Sequence, residues 1–436
     1  MRRELIKEFF SYVLPSLFAF VVSGIYSVAD GFFIGRSLGD TGIAAITVAF
    51  PIAVLIISIG TGIGLAGSVR FTLFGARGEK AIQAKCFAGT ILLMLFVAGF
   101  LSAFFYFLSE SVLSVLGVHG EISSSCSEYV RLIASGAVFL ILGSGLIPFI
   151  RNMGSANYAM AVMVSGFIAN IVLDYLFICE MNLGIAGVAL ATVCSQALCL
   201  VLSVLFFVRE RCTLALADIR ELLTLWQSVL KLSLSPIGLI FSPTVVLLLM
   251  NKALLVYGTE QSVAVYGCIG YVLWMVYLLI QAVCDGVQPL VSYYCAKRDA
   301  VFLSHVKKLA YLTAGVITVA SILFIYTFSR EVGVFFGASG ETVSDVSDIL
   351  PYFLAPLPML AFVRLTGSFF YASGKEGISY LLVYSEPLLT AVCLAVLPVF
   401  FGLSGVWASV PLAQILAFLL AFAVCLSASK SPVIQR

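Results

Sequence analysis

Five ionisable residues fall inside long apolar stretches of the sequence: Asp30, Asp174, Asp285, Arg364 and Glu386. Holding such a group in hydrocarbon is costly, so each is a candidate functional residue. Asp30 follows the small and polar stretch Ser23-Gly24-Ile25-Tyr26-Ser27, one long helix segment after Pro15, a residue that frees a backbone carbonyl and bends its helix. Asp174 stands one turn after Asn170, a spacing that puts both side chains on one helical face. Each acid also has a plainer reading. Asp30, and less readily Asp174, would then be a carboxylate near its helix end, snorkelling to the surface or, for Asp30, capping the Gly35 to Gly39 turn. Arg364 and Glu386 read as a structural ion pair between neighbouring helices, because an unpaired charge there is expensive. Asp285 reads equally as cavity lining or as a packed helix contact.

The elements that must position these residues are set by composition. In 436 residues, 61% are hydrophobic and 11% charged, against about 45–50% and about 25% in soluble domains. The solvent for most of this chain is therefore lipid. A spanning helix takes about 20 mainly apolar residues, and the apolar runs give twelve: 9–35, 42–68, 87–109, 127–150, 160–180, 184–208, 229–257, 264–290, 309–329, 348–370, 378–401 and 404–427. The first run is too long for a signal peptide and lacks a small-residue cleavage site, so it reads as a retained span. With the N-terminus inside, nineteen of the 24 Lys and Arg fall on the cytoplasmic face, four fall outside, and Arg364 lies within a span. This positive-inside bias predicts cytoplasmic termini.

The stretch 209–228 is charged and central, and reads as a cytoplasmic linker between an N-lobe, 1–208, and a C-lobe, 229–436. Sliding the halves by about 220 residues tests for the internal repeat that many transporters carry. Pro15 then meets Pro236, Gly75-Ala76-Arg77 meets Cys295-Ala296-Lys297, Gly154 meets Gly374, Gly187-Val188 meets Gly405-Val406, and Gln196 meets Gln414. The expected fold is all-α: two six-helix lobes related by a duplication with a pseudo-twofold along the membrane normal. Such an arrangement suits a cavity between lobes.

Enzyme constellations are absent from the apolar spans. The only two histidines, His119 and His305, fall in predicted loops. Eleven cysteines lack CxxC spacing and sit mostly in apolar runs, so neither a metal site nor a disulfide framework is expected. The run Gly60-Thr61-Gly62-Ile63-Gly64-Leu65-Ala66-Gly67 superficially resembles a phosphate loop, but no Lys-Ser/Thr follows it; small residues at this spacing instead let membrane helices approach closely. A net charge of +2 gives no basic face for nucleic acid.

Several motifs resemble the multidrug and toxic compound extrusion (MATE) family. They are Val28-Ala29-Asp30-Gly31-Phe32-Phe33-Ile34-Gly35 with Leu38-Gly39, Ile43-Ala44-Ala45, Phe50-Pro51-Ile52, Gly75-Ala76-Arg77-Gly78-Glu79, Asn170-Ile171-Val172-Leu173-Asp174 and Gly184 to Thr192; Gln288-Pro289-Leu290 and Ala372-Ser373-Gly374-Lys375 follow in the second half. The resemblance covers the whole chain. It implies export of amphipathic, often cationic compounds by alternating access, driven by inward proton or sodium flow, with no other cofactor. It also implies that Asp30 and Asp174 couple the ion, and that Asn170 and Thr192 match positions that help coordinate sodium. Two carboxylates, an amide and a hydroxyl would suit either a small cation or a shared proton. The repeat partner of Asp30 is Asn251 beside Lys252, which departs from a branch with coupling acids in the C-lobe and favours the DinF/MepA-like branch.

Asp285 and Glu386 are then candidates to attract a cationic substrate in the C-lobe. The rival expectation within transport is a flippase for lipid-linked oligosaccharides or cell-wall precursors, which would need basic cavity residues, and the spans offer mainly Arg364 and Lys252. The expected setting is a monomer in a bacterial inner membrane, with small-molecule substrates and lipids as its partners.

Overall fold

The computed structural model describes residues 2–115, 118, 122–335 and 340–430. Backbone amides cannot be left unpaired in lipid, so apolar runs of this length must close their hydrogen bonds internally as helices. In chain order these are α1 (Arg3–Leu38), α2 (Ala45–Ala76), α3 (Lys80–Val115), α4 (Ile122–Ser135), α5 (Ala137–Asn152), α6 (Ala156–Glu180) and α7 (Gly184–Arg209). They are followed by α8 (Ile219–Tyr257), α9 (Glu260–Ala296), α10 (Ala300–Thr327), α11 (Ser329–Phe335), α12 (Gly340–Leu354), α13 (Leu357–Ala372) and α14 (Glu376–Lys430). Among the described residues no strand is present.

Helical backbone runs from Arg2 to Ala76, yet α1 and α2 are separate crossings. A straight helix of that length would reach about 110 Å, several times the hydrocarbon thickness. Moreover Tyr12, early in α1, and Ser68, late in α2, both approach the Asn152–Gly154 corner. The chain therefore doubles back between them. Pro15 and Pro51 lie inside these helices.

Two expected straight spans are broken. The run read as 127–150 is α4 and α5, bent by 56°, and the run read as 348–370 is α12 and α13, bent by 45°. At the first bend Gly136 faces α7, where a Cβ would come within 2.3 Å of Val193. At the second, Pro356 caps α13 and cannot donate to the preceding turn. The expected spans 378–401 and 404–427 are the two arms of α14, joined at Gly402, whose φ of 55° and ψ of −135° belong to glycine. With each bent pair taken as one crossing and α14 as two, the chain is a twelve-helix, multi-pass membrane protein.

The chain divides into two compact units, Phe10–Ile237 and Gly238–Arg436, the latter joined by the residues up to Phe9. This boundary lies inside α8 rather than in the stretch 209–228. Residues 212–218 are non-helical, but Ile219 begins α8, and its first turns pack on α3. Trp226 Nε1 donates to the Gly89 carbonyl at 2.9 Å, Lys85 pairs with Glu221 at 2.7 Å, and Leu222 and Leu225 lie against Gly89. The charges that mark these turns as surface in the sequence are one face of an amphipathic segment. In the other unit, Tyr294 Oη donates to Glu8 at 2.7 Å. His305 lies within α10 rather than in a loop, with Nδ1 2.8 Å from the Val301 carbonyl. His119 lies outside the described residues.

Each unit carries the same stops at matching positions. The α2 helix ends with Glu79 N–H on the Phe74 carbonyl, and α9 ends with Asp299 N–H on the Tyr294 carbonyl; α5 and α13 end alike at Ser155 and Lys375. Three of the four turn residues are glycines, and the fourth is Arg298 at φ 56°. A side chain there costs about 1 kcal/mol. Arg298→Gly is therefore expected to raise the thermal unfolding midpoint in detergent, corresponding to a gain of about 0.5–1 kcal/mol.

Candidate functional site

Among the described residues, each unit has a buried polar cluster that holds ionisable residues singled out in the sequence. In the first unit α1 supplies Asp30 and Tyr26, α4 supplies Tyr129, and α6 supplies Asn170 and Asp174. The one-turn spacing of Asn170 and Asp174 places both on the buried side of α6, at 3% and 0% exposure. Asp30 is half-buried, and its carboxyl lies within hydrogen-bonding reach of that of Asp174. Tyr26 stacks on Phe167, with ring centroids 5.5 Å apart, and Tyr26 and Tyr129 both lie near enough to feel the charge of the acid pair. A π-helical turn, Tyr175–Glu180, follows Asp174 directly. Such turns are frequent at functional sites.

Both carboxylate oxygens of Asp174 and the Oδ1 of Asn170 are buried without any donor from the protein. Two carboxyls can hydrogen-bond to each other only if one is protonated, and otherwise a cation must stand between them. The oxygen set is hard and anionic, suited to a proton or a small alkali cation. Thr192 donates its hydroxyl to the Val188 carbonyl one turn back on α7. Among the described residues, no hydrogen bond links it to either acid. Tyr129 and the π-turn carried no signal in the sequence, since a tyrosine in an amphipathic run and the apolar string Tyr175-Leu176-Phe177-Ile178-Cys179 read as ordinary span.

The second unit carries a chain of polar side chains across α9, α13 and α14. Gln281 Nε2 donates to Asp285 at 2.8 Å, and its Oε1 accepts from Arg364 Nη2 at 3.1 Å. The same Arg364 nitrogen donates to the Leu239 carbonyl, and the guanidinium lies 5.5 Å from the Tyr277 ring centroid. Gln414 Nε2 donates to Tyr277 Oη and to Glu386, each at 3.0 Å. All six side chains are buried. The expected Arg364–Glu386 ion pair does not form. Neutral amides and a backbone carbonyl take the guanidinium and carboxylate instead, an arrangement that charge alone could not reveal. Arg364, Glu386 and Ser242 line a small cavity in which the centre of a water molecule can move over about 10 Å³. Beside Glu386 that cavity has no room for an organic cation.

The read of Gly60–Gly67 as a close helix contact agrees with the structure. A Cβ on Gly64 would come within 1.9 Å of the Gly145 carbonyl oxygen, and one on Gly145 within 2.6 Å of the Gly60 carbonyl oxygen. This packing fixes α2 against α5.

Comparison with known proteins gives a consistent picture. Residues 15–176 match the MatE family model. The multidrug export protein MepA of Staphylococcus saprophyticus is 24% identical over 430 residues, covering 97% of this chain and 94% of that protein. MepA of Staphylococcus aureus is 25% identical over 431 residues, covering 96% and 93%. Among solved structures, an outward-facing multidrug resistance MATE family transporter superposes with a TM-score of 0.88 at 22% identity, covering 98% of this chain and 97% of that one. A MOP superfamily transporter from Pyrococcus furiosus gives 0.88 at 22% identity, with 98% and 96% covered. A MatE model over residues 15–176, MepA relatives aligned nearly end to end and a fold shared with solved MATE structures together support a MATE family transporter.

Proposed function

We propose that this protein exports amphipathic organic cations across a bacterial inner membrane by alternating access, coupled to inward movement of protons or sodium at Asp30 and Asp174. One observation carries the reading: three buried oxygens of Asp174 and Asn170 lack donors and lie with the Asp30 carboxyl, a set that a proton or small cation would complete. The MepA relatives are named as multidrug export proteins, which supports a broad substrate range. In this reading ion entry from outside removes repulsion between the acids and disfavours the substrate-bound outward state, with α1 rebending near Pro15. Release inside resets the cycle. A pH unit supplies about 1.36 kcal/mol per proton, and each charge crossing 100 mV about 2.3 kcal/mol more.

Asp285 remains the candidate for attracting the substrate cation in the second unit. Glu386 is left out of that role, because its carboxyl faces Gln414 and a one-water cavity. Thr192 enters as a sodium ligand only through a rotamer change that releases Val188. The working unit is a monomer.

The test is efflux of a fluorescent organic cation from proteoliposomes under a proton gradient or a sodium gradient imposed separately. One of the two is expected to drive export at least tenfold above the ungraded rate. If neither does, the reading fails, and lipid-linked precursors become the next substrates to try.

A further inference from the structure

Arg364 is 4% exposed, and its Nε has no acceptor in the protein. Glu386 is 5% exposed and accepts from Gln414, yet makes no ion pair with Arg364. Both line the same small cavity, with Ser242 beside them. A space of that size holds roughly one water, provided that it finds two to four polar partners. The partners select the guest. A sodium ion there would face the guanidinium and leave Nε–H unsatisfied, and a halide would face the carboxylate. A water there would accept from Arg364 Nε–H, donate to the Glu386 carboxylate and pair with the Ser242 hydroxyl.

We propose that this cavity holds a bound water between Arg364 and Glu386, and that Glu386 with this water forms an exchangeable-proton site of the second unit, distinct from the Asp30/Asp174 pair. In the uptake step an arriving proton converts the water to hydronium, which gives a proton to a Glu386 oxygen. An O–H bond forms on the carboxyl and the water is regenerated, still held by Arg364 Nε. The titratable and charged groups facing this centre are Tyr266, Tyr277 and Cys284 from α9, Arg364 from α13 and Glu386 itself from α14; Asp285 connects through Gln281. Leu239 and Ser242 are the α8 residues at the cavity, and neither titrates. The guanidinium works as a fixed positive neighbour that limits the site to one proton.

The test is infrared difference spectroscopy of the full-length protein in detergent between pH 5 and 9, in a background carrying Asp30→Asn and Asp174→Asn. This background silences the proposed coupling pair, so the outcome is independent of the transport reading. A carboxylic-acid carbonyl band is expected to appear on acidification, to shift in heavy water, and to vanish in Glu386→Gln. Ser242→Ala is expected to move the band's frequency without abolishing it, as a water partner is lost. Size exclusion and a thermal midpoint within a few degrees of the parent establish that each variant is folded. If Glu386→Gln does not fold, Glu386→Asp replaces it, and displacement of the band carries the assignment. Three results each overturn the proposal: a band that stays constant across the range, no band at all, or a titrating band indifferent to position 386.

Discussion

Asp174→Asn is expected to reduce gradient-driven export by about 100-fold or more, the equivalent of roughly 2.7 kcal/mol in the coupled step. Asp174 is fully buried with two unpartnered oxygens, and an amide at that position can neither share a proton with Asp30 nor supply an anionic ligand. Asp30→Asn is expected to act in the same direction. Downhill exchange of substrate without a gradient should survive in both, because the pair is assigned to coupling and not to substrate contact. Asn170→Ala separates the two ions. A hard alkali cation needs oxygen ligands around it, so sodium-driven export falls with the amide while proton-driven export does not. Equal export by wild type and Asp174→Asn under either gradient would remove Asp174 from the coupling step.

Gly64→Val is expected to prevent correct packing of the first unit. Its Cβ alone would overlap the Gly145 carbonyl, and the opposing atom is backbone, which cannot rotate away. Overpacking costs typically 1–3 kcal/mol where side chains can adjust, and here α5 itself would have to move. We expect a loss of about 3 kcal/mol or more, seen as low yield of monodisperse protein and a depressed unfolding midpoint. Gly99→Ala is the matched control: a Cβ there meets nothing within 4 Å, and its midpoint should stay at or above that of wild type. Normal yield and stability in Gly64→Val would show that the α2–α5 contact is looser than drawn.

The span pattern was legible because lipid imposes both a length and an apolar composition, and few alternatives satisfy them. The bend between α4 and α5 was not, since nothing distinguishes Gly136 from other glycines in apolar runs until Val193 is seen against it. Charge misled at the start of α8, where Glu221 marks a surface but is also the partner of Lys85. At the acid pair, the shared helical face of Asn170 and Asp174 followed from spacing, whereas the approach of Asp30 came only through family resemblance. Gln281 and Gln414 escaped notice as organisers of Arg364 and Glu386 because an amide carries no charge to flag it, although Gln414 stood out as a repeat match.

The docking of Trp226, Leu222 and Leu225 on α3 also bears on the order of synthesis. When α7 leaves the ribosome, the Gly89 strip of α3 still lacks its cover. That cover arrives only after the non-helical residues 212–218 and the first turns of α8 have been translated. The first unit therefore cannot mature as a finished body until the start of α8 has been made. A nascent chain halted near Arg211 would present an uncovered helix face to the insertion machinery, whereas a chain halted after Ile237 would not. Severing the gene within 212–218 should yield two fragments that reassemble when made together, since the severed stretch is a tether and the docked turns supply the adhesion.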